Sequence, residues 1–353
     1  MARMIDVAKR AGVSVATVSN YLTGKKTVGK EKAEAVEKAI EELHYEVNIM
    51  ARGLKSNKSY AIGVIVPNVT SVYFMQMFNG LRDAAEGTGY TFSFLSSDFD
   101  FKKEKKAVRS LRNGRVEGII INSFCRLKDR KKWAEELSRP RSGQGAESPF
   151  PIVSLEYDLG CDRVSAIVIE NRKLSRECTE YLISKGKKRI LYISAQQESI
   201  VGSERLSGYR EALKNAGIEE DPALILEGDL SSDSGYQRTI EAMDKGLAFD
   251  AVQAVNDQSA VGALKALSSR GVKIPDDVCL LGCDNVFPST LVTPQITTVD
   301  IPAYAIGMRG FEIIKMMIET PDFEPVKETI EHRFIERKST NKRCSSEWSL
   351  ARW

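Results

Sequence analysis

The sequence predicts an α/β protein with two doubly wound parallel-sheet subdomains, preceded by a small all-α helix-turn-helix headpiece. Three observations lead to this fold class. From residue 61 onward, short apolar runs alternate with amphipathic stretches, as parallel strands joined by helices require. The first 60 residues show only helical periodicity around a glycine turn. At 353 residues and 42% hydrophobic content, the chain is longer than one core normally supports.

The first element of the headpiece is a short amphipathic helix. Met4, Val7, Ala8 and Ala11 follow the i, i+3, i+4, i+7 spacing, and Gly12 can adopt the left-handed turn that ends the helix. Two helices joined by such a tight turn make a helix-turn-helix.

The second helix is capped by Ser14 and the third runs from about Lys30 to His44. In the second helix, one side can pack on the first helix through Val18, Tyr21 and Leu22. Its other side presents Ala16, Ser19 and Asn20. The third helix closes a small core with Val36, Ala39, Ile40 and Leu43.

Charge is unevenly divided along the chain. Residues 1–60 contain eleven Lys or Arg and seven Asp or Glu, a net charge of +4, against +3 for the whole chain. A basic head on a nearly neutral body is expected when the head alone meets a polyanion. A helix with small side chains can enter the major groove of DNA, and the carboxamide of Asn20 can pair with adenine. The alternatives are a solvated charged surface and a helical hairpin of another kind.

The segment "NIMARGLKSNKS", residues 48–59, would be marginal as an isolated helix and should be ordered only when something holds it. A plain linker is the alternative. The body then contains nine apolar runs, which suit two doubly wound halves better than one. In order they are "AIGVIVP", "YTFSFLSS", "EGIIIN", "FPIVSLE", "VSAIVIE", "RILYISA", "ALILEGD", "AVQAVND" and "VCLLGCDN".

Several classes of function are disfavoured. The chain has no G-x-G-x-x-G after its first strand, no G-x-S-x-G and no Walker pattern, so no cofactor is predicted. Its six cysteines form no C-x-x-C pair and its two histidines lie far apart, which makes a metal site unexpected. The sequence has no apolar run of about eighteen residues and no signal peptide, so we expect a cytoplasmic protein without membrane contact.

Ligands of such folds bind beyond the carboxyl ends of the strands. The polar and aromatic residues at these ends are Asn68, Tyr73, Phe74, Asp98, Asn122, Arg205, Asn256, Asp257 and Asp284. Arg, Asn and Asp together can hydrogen-bond a polyhydroxylated ligand, and the aromatic rings can supply an apolar face. Taken singly, an Asp or Asn at a strand end is more often a turn or helix cap.

Two long stretches, "IDVAKRAGVSVATVSNYLTG" and "AIEELHYEVNIMARGLKSNKSYAIGVIVPN", resemble the N-terminal signature of the lactose-repressor (LacI) family. Landmarks of the same family recur in order through the body, to about residue 337. They are "VEGIII", "SERLSGYREAL", "VNDQSAVGAL", "IPDDVCLLGCDN" and "TPQITTVDIP". The body of this family shares the fold of periplasmic sugar-binding proteins.

The resemblance implies roles for individual residues. Val15, Ala16 and Asn20 match base-contacting positions, and Thr17 and Ser19 match phosphate contacts. Asn20 stands where Arg is usual, which suggests adenine where relatives read guanine. Leu54 matches the leucine that enters the central minor-groove step. The predicted DNA-binding residues are Ser14, Val15, Ala16, Thr17, Ser19, Asn20, Asn48, Ala51 and Leu54.

In the body, the resemblance assigns Arg205, Asn256 and Asp284 to effector contacts and Tyr73 and Phe74 to the aromatic entry. Leu230 stands where several relatives have a stacking aromatic, which argues against a flat ligand and against strong pyranose stacking. The predicted effector-binding residues are Tyr73, Phe74, Asp98, Arg205, Leu230, Asn256 and Asp284.

The predicted domain boundaries are a headpiece at 1–47, a hinge at 48–59, an effector-binding and dimerisation core at 60–338 and a tail at 339–353. Within the core, the first subdomain is about 60–159 and 289–320. The second subdomain is about 160–288 and 321–338. The Pro/Gly/Ser-rich segment 138–151 is interpreted as a surface insertion, and the tail as a disordered end or an added contact.

The predicted function is that of a DNA-binding transcriptional regulator, a repressor that reads a palindromic operator as a homodimer. A corepressor-dependent or activating regulator is the alternative. A carbohydrate or sugar phosphate between the two core subdomains is the expected effector. A solute-binding protein has the same body, but the basic head and the missing export signal disfavour it. An enzyme using Asp98 or Asp284 as general base would need a second acid or a phosphate loop, and neither is visible.

Overall fold

The computed structural model describes residues 2–23, 27–45, 58–140, 149–320 and 322–345. The chain divides into two compact units, residues 1–59 and 60–353. Three predicted DNA contacts, Asn48, Ala51 and Leu54, lie outside the described residues. The same holds for most of the segment 138–151 and for the tail from residue 346.

The first unit contains three helices, as predicted: α1 (Met4–Arg10), α2 (Val15–Thr23) and α3 (Lys30–Glu42). Val7, Val18 and Val36 contribute one side chain from each helix to its core, and all three are fully buried. Gly12 adopts a φ of +65° between α1 and α2, a conformation that glycine adopts without the steric cost of a Cβ. The glycine turn predicted from the sequence is therefore confirmed.

The second unit alternates strands and helices. Its first part contains β1 (Ala61–Val66), α4 (Val72–Ala85), β2 (Thr91–Ser96), α5 (Phe101–Asn113), β3 (Gly118–Ile121), α6 (Arg130–Leu137), β4 (Ile152–Glu156) and β5 (Ser165–Val168). Next come α7 (Asn171–Ser184), β6 (Ile190–Ser194), α8 (Ile200–Asn215), β7 (Ile225–Glu227), α9 (Ser232–Asp244), β8 (Ala251–Ala254), α10 (Asp257–Ser269) and β9 (Cys279–Leu281). It ends with α11 (Pro288–Leu291), β10 (Thr298–Asp300), α12 (Ala303–Glu319), β11 (Lys327–Thr329) and β12 (Arg333–Ile335).

The strands of this unit form two parallel sheets. The first sheet has the order β11-β5-β4-β3-β1-β2 and the second has β7-β6-β8-β9. In both, the chain starts in an inner strand, moves to one edge and then reverses, as in a doubly wound sheet. β1 shows why both faces are covered, because Ile62 and Val64 pack into one apolar cluster while Ile65 packs into another. The nine strands predicted from apolar runs are all present.

The predicted boundary between the two subdomains was wrong at two strands. β5 lies within the range assigned to the second half, yet it pairs in parallel with β4 of the first sheet. β11 was also assigned to the second half, and it pairs with β5. Only eight residues and no helix separate β4 from β5. Parallel neighbours are normally joined by a longer crossover that contains a helix. Because no helix follows β4, the sequence was interpreted as having a subdomain boundary there.

Three short strands went unpredicted. β10 and β12 pair antiparallel, with Val299 opposite Phe334, and β11 forms the edge of the first sheet. Each has only three residues, too few for a period-two pattern, and none lies in an apolar run such as those that marked the equally short β7 and β9. In the residues the structure describes, no helix is both long and apolar enough to cross a membrane.

Helices on the same face of a sheet approach each other through glycine. A Cβ on Gly80 of α4 would lie 2.0 Å from the carbonyl oxygen of Tyr304 in α12. A Cβ on Gly307 of α12 would lie equally close, 2.0 Å, to the carbonyl oxygen of Met77 in α4. Since both obstacles are backbone atoms, they cannot rotate away, and the two helices would have to separate.

We expect Gly80→Ala to lower the free energy of unfolding by about 1 to 3 kcal/mol, the range for overpacking a core. Ala is the better helix former, so intrinsic propensity acts in the opposite direction. Urea denaturation measures the change. Gly29→Ala is the control, because no atom lies within 4 Å of a Cβ at Gly29. Equal stability of Gly80→Ala and wild type would contradict the close helix contact.

Candidate functional site

The exposed face of α2 consists of small side chains. Ser14, Val15 and Ala16 are exposed, and Val15 is 42% exposed although it is apolar. Ser19 and Asn20 are half-buried, while Val18, which precedes them, is fully buried in the headpiece core. The helix thus separates a core side from an outer side, as its sequence predicts.

The start of α2 is fixed by its own side chains. The backbone N–H of Thr17 donates to Oγ of Ser14 at 3.1 Å, and the two hydroxyl oxygens lie 2.9 Å apart. The cap satisfies a backbone donor that the helix itself leaves unpaired. The N-terminal turn of α2 is therefore held rigid, and its remaining amide groups favour an anion such as a phosphate.

The second unit contains a cleft of about 610 Å³, its open mouth included. Six of the seven predicted effector-binding residues line it: Tyr73, Phe74, Arg205, Leu230, Asn256 and Asp284. The cleft draws side chains from both sheets, since Tyr73 follows β1 and Asp284 follows β9. This is the position where ligands bind in doubly wound folds, outside the carboxyl ends of the strands.

Arg205 is the most constrained polar group in the cleft. Its side chain is 5% exposed, and its Nε donates to Oδ1 of Asn171 at 2.8 Å. Nη1 donates to the carbonyl oxygen of Val255. Nη2 lies 3.8 Å from Oδ1 of Asp284, too far for a hydrogen bond. Two nitrogens thus hold the guanidinium in place, and Nη2 lies beside the cleft carboxylate.

Two buried carboxyl groups accompany this single guanidinium. Burial raises the pKa of Asp284 to about 7, against the opposing effect of Arg205. Burial also raises the pKa of Glu156, which the neighbouring Tyr73, Arg205 and Asn122 oppose. Both residues adopt positive φ, +105° for Asp284 and +74° for Glu156. Such strain is often found at ligand sites, because the surrounding fold must hold these residues in place.

Three buried polar atoms of the cleft belong to neighbouring residues, but none makes a hydrogen bond of good geometry to any part of the chain that the structure describes. They are the hydroxyl of Tyr73, Nδ2 of Asn122 and Oε1 of Glu156. The amide of Asn122 is oriented by Tyr157, whose hydroxyl donates to Oδ1 at 3.0 Å. An unpaired buried polar group costs about 1 to 3 kcal/mol, so a ligand that pairs with these atoms recovers that free energy.

Asn256 and Leu230 line the cleft, but the amide of Asn256 is already hydrogen-bonded within the chain. Oδ1 of Asn256 accepts from the N–H of Ser259 at 2.9 Å and caps α10, the alternative expected for an Asn at a strand end. Its Nδ2 donates to the carbonyl oxygen of Leu230 at 3.0 Å. This contact holds Leu230 at a φ of +71°. The amide of Asn256 therefore has a partner at both ends.

A buried carboxylate outside the cleft positions one of its loops. Glu104 of α5 accepts from the hydroxyl of Ser123 at 2.5 Å, the N–H of Phe124 at 2.6 Å and Nε1 of Trp133 at 2.7 Å. Burial raises the pKa of Glu104, and the three donors oppose that rise. Because Phe124 lines the cleft, Glu104 acts as a positioning residue for the cleft wall.

Asp98 does not join the other predicted effector-binding residues. Its carboxylate is 57% exposed, pairs with Nζ of Lys103 at 2.8 Å and accepts from Ser96 at 2.6 Å. The following residue, Phe99, lines the cleft instead. Asp98 has a φ of +48°, and the turn directs its side chain to the N-terminus of α5. The strand-end argument located the loop correctly and chose the wrong residue within it.

Several cleft residues were missed or left out of the predicted set. The structure adds Phe99, Asn122, Phe124, Glu156 and Tyr157 to the lining. Asn122 and Glu156 stand at strand ends, the same signal that located Asp284. Phe99 and Phe124 pack edge to face with ring centroids 5.3 Å apart. Their loops carry no sequence signal that separates them from other surface loops.

Comparisons with known proteins agree with this architecture. Residues 3–48 match the family described as "Bacterial regulatory proteins, lacI family". Residues 59–338 match "Periplasmic binding proteins and sugar binding domain of LacI family". The second match alone covers more than half of the chain.

Individual relatives match over nearly the whole length. The transcriptional regulator RegA of Clostridium saccharobutylicum is 30% identical over 95% of this chain and 98% of its own. The transcriptional repressor PurR of Vibrio atlanticus is 29% identical over 96% and 98%. Among solved structures, the transcriptional regulator CelR in complex with cellobiose has a TM-score of 0.69 and 27% identity over 96% and 100%. These relatives are regulators, which sets aside the enzyme and solute-binding alternatives. The chain belongs to the LacI family of bacterial transcriptional regulators.

Proposed function

We propose that this regulator represses transcription by binding a palindromic operator as a homodimer, in the cytoplasm, under the control of an uncharged carbohydrate. The observation that carries the DNA part is the exposed face of α2, with small side chains on a capped and rigid helix. Val15 and Ala16 allow close approach to the base edges, and an exposed Val side chain can contact a thymine methyl group. Ser14, Thr17 and Ser19 supply hydroxyl groups for phosphate.

The charge of the cleft favours an uncharged effector. Two carboxyl groups, Glu156 and Asp284, stand against one guanidinium that is already bound to the chain. Burial raises the pKa of both carboxyl groups, and whatever fraction of them is ionised would repel a phosphate in this poorly solvated site. Hydroxyl groups can donate to both carboxylates and accept from Arg205, Tyr73 and Asn122. We therefore narrow the expected effector from a carbohydrate or sugar phosphate to an uncharged carbohydrate, the class to which the cellobiose of the CelR complex belongs.

The aromatic lining supports the same class. Leu230 cannot stack on a sugar ring, but Phe74, Phe99, Phe124 and Tyr157 also line the cleft. Aromatic faces pack on the C–H surfaces of a sugar while the carboxylates bind its hydroxyls. Aromatic residues elsewhere in the cleft can therefore stack on a sugar ring, although residue 230, where several relatives have an aromatic, is a leucine in this chain.

Control by a ligand requires a difference in affinity between two states of the body. Asn122 and Glu156 follow strands of the first sheet, and Arg205 and Asp284 follow strands of the second. A ligand that bonds to both sets stabilises one separation of the sheets more than another. We propose that this closure changes how the paired chains hold the segment 48–59, which would be marginal as an isolated helix.

The edge of the first sheet offers a surface for the second copy. β2 is the edge strand opposite β11, and its Phe94 is 40% exposed while packing on Phe78 of α4 at a centroid distance of 4.4 Å. Met75 of the same helix is 53% exposed. Exposed apolar side chains grouped in this way are typical of an interface, and a twofold axis there would pair two copies of the chain, as a palindromic operator requires.

Selection of bound duplexes from a random pool tests the function. At a stated near-physiological salt, because phosphate contacts make affinity salt-dependent, we expect a palindrome with a deformable central step. Titration calorimetry with a panel of uncharged sugars and their phosphates then tests the effector class. No sequence preference, with or without these ligands, would refute the operator function. Tighter binding of a sugar phosphate would refute the uncharged class alone.

We expect Asn20→Ala to relax the base preference at one symmetric pair of operator positions. Loss of one bidentate contact to adenine should cost about 1 to 3 kcal/mol of discrimination. Binding to duplexes with each of the four bases at that pair measures the effect. Asn215→Ala, at the exposed end of α8, is the matched control. A uniform loss of affinity for all four duplexes would assign Asn20 to the phosphate backbone instead.

A further inference from the structure

A second basic region lies in the body of the protein. Residues 102–139 contain thirteen Lys or Arg and five Asp or Glu, a net charge of +8. The whole chain has a net charge of +3, so the rest of the molecule is negative by five charges. When the net charge of residues 1–60 is compared only with that of the rest of the chain, this basic region is not visible. Acidic segments on either side of it cancel its positive charge in the total.

The fold gathers this charge on one pair of neighbouring helices. α5 and α6 pack side by side, since Phe101 contacts Trp133 edge to face at 5.2 Å and Arg112 donates to the carbonyl oxygen of Leu137 at 2.9 Å. Lys105 lies between the helices, 4.6 Å from the ring centroid of Phe101. The outer residues, here named the basic face, are Lys102, Lys106 and Arg109 on α5, Lys131 and Lys132 on α6, and Lys128 in the turn immediately before α6. All six are exposed.

The acidic residues of the region do not neutralise the basic face. Glu104 is fully buried and accepts three hydrogen bonds. Glu117 accepts from the N–H of Tyr60 at 2.6 Å, and Asp129 pairs with Arg126 at 2.6 Å. The remaining two, Glu135 and Glu136, lie on α6, Glu135 exposed and Glu136 half-buried. Within the described residues, no member of the basic face has an acidic side chain within 4.0 Å. Its positive charge is thus available to a partner.

We propose that the basic face binds the phosphate backbone of double-stranded DNA without regard to sequence. Lys102, Lys106 and Arg109 follow the i, i+4, i+7 spacing, so they form a stripe about 10 Å long on one side of α5. A duplex carries one negative charge per about 1.7 Å, so a comparable length presents about six charges to this stripe. Flexible Lys and Arg side chains suit such contacts, which need no fixed geometry.

The composition of the surface favours DNA over an acidic protein. Protein interfaces contain a central group of apolar or aromatic residues. Residues 101–140 are described throughout, and no large apolar side chain among them is exposed. Interfaces with DNA are instead polar and strongly positive. DNA is also the polyanion that regulators of this family bind, so the body would add a second, sequence-independent contact to that of the headpiece.

The test is the salt dependence of binding to a duplex without an operator, measured by fluorescence anisotropy with the full-length chain. The triple variant K102E/K106E/R109E should lower the slope of log affinity against log salt by about 2 to 3, since each lost phosphate contact removes about 0.9. K128E/K131E/K132E should show a similar loss. All six side chains are exposed, and an unchanged thermal midpoint would confirm that each variant folds.

The matched control is K214E/K265E/K273E, which changes the net charge by the same amount at exposed sites outside the basic face. Its slope should equal that of the wild type. Since the headpiece is intact in every variant, a difference between the variants reports on the body alone. Equal slopes for the control and both basic-face variants would overturn the proposal, and an acidic protein would then be the partner to seek.

Discussion

Arg205→Met should abolish effector binding and lower the free energy of unfolding by about 3 to 5 kcal/mol, the cost of breaking a buried ion pair by removing one partner. The methionine fills a similar volume but donates nothing. Oδ1 of Asn171, the carbonyl oxygen of Val255 and the carboxylate of Asp284 would each lose their cationic neighbour. The cleft would also retain two carboxyl groups and no positive charge.

The control lies on the same helix. Arg210 of α8 pairs with Glu220 at 3.0 Å, but its side chain is 49% exposed, so Arg210→Met should change the unfolding free energy by less than about 1 kcal/mol. Urea denaturation measures stability, and calorimetry with the effector measures binding. Arg205→Lys keeps the charge without the forked geometry, and we expect it to recover stability only in part. Full effector affinity in Arg205→Met would show that the cleft binds its ligand elsewhere.

The difference between Arg205 and Asp98 shows how far the sequence determines the site. Both were listed among the residues beyond the strand ends of a doubly wound sheet, an argument that depends only on topology, and the family resemblance also assigns Arg205 to effector contacts. The topological argument succeeds for Arg205, whose helix begins at the strand ends. It fails for Asp98 because the turn there holds the exposed carboxylate against Lys103 and Ser96, at the start of α5 and away from the cleft. Local turn geometry of this kind depends on packing that a sequence pattern does not encode.

The fold shows the same limit. Val7, Val18 and Val36 were predictable as a core because helical spacing places them on facing sides of three helices. The other nine strands were predictable from their apolar runs. The membership of β5 in the first sheet was not, because it depends on an eight-residue connection that no helix marks. Similarly, the basic face on α5 and α6 becomes one surface only when the packing of Trp133 against Phe101 is known.

The second large effect concerns α2. Ala16→Glu should reduce operator affinity by about 100-fold or more, because a carboxylate facing the phosphates costs several kcal/mol and its longer side chain holds the helix away from the groove. Ala16 is exposed and lies in the first turn of α2. A negative charge at that position interacts favourably with the helix dipole. The headpiece should therefore fold at least as stably as the wild type.

Because Ala16→Glu should weaken operator binding without lowering headpiece stability, it tests the role of α2 more directly than a substitution that removes a contact. The control is Ala33→Glu on α3, which introduces the same charge on the same unit but outside the proposed interface. Because salt screens charge repulsion at a distance, this variant should bind the operator with an affinity within about threefold of the wild type. Anisotropy with the selected operator measures both variants, and circular dichroism measures headpiece stability. If Ala16→Glu kept its operator affinity, α2 would not lie in the major groove, and the headpiece would be a helical hairpin of another kind. If both variants lost affinity equally, net charge would govern binding, and the face of α2 would have no special role.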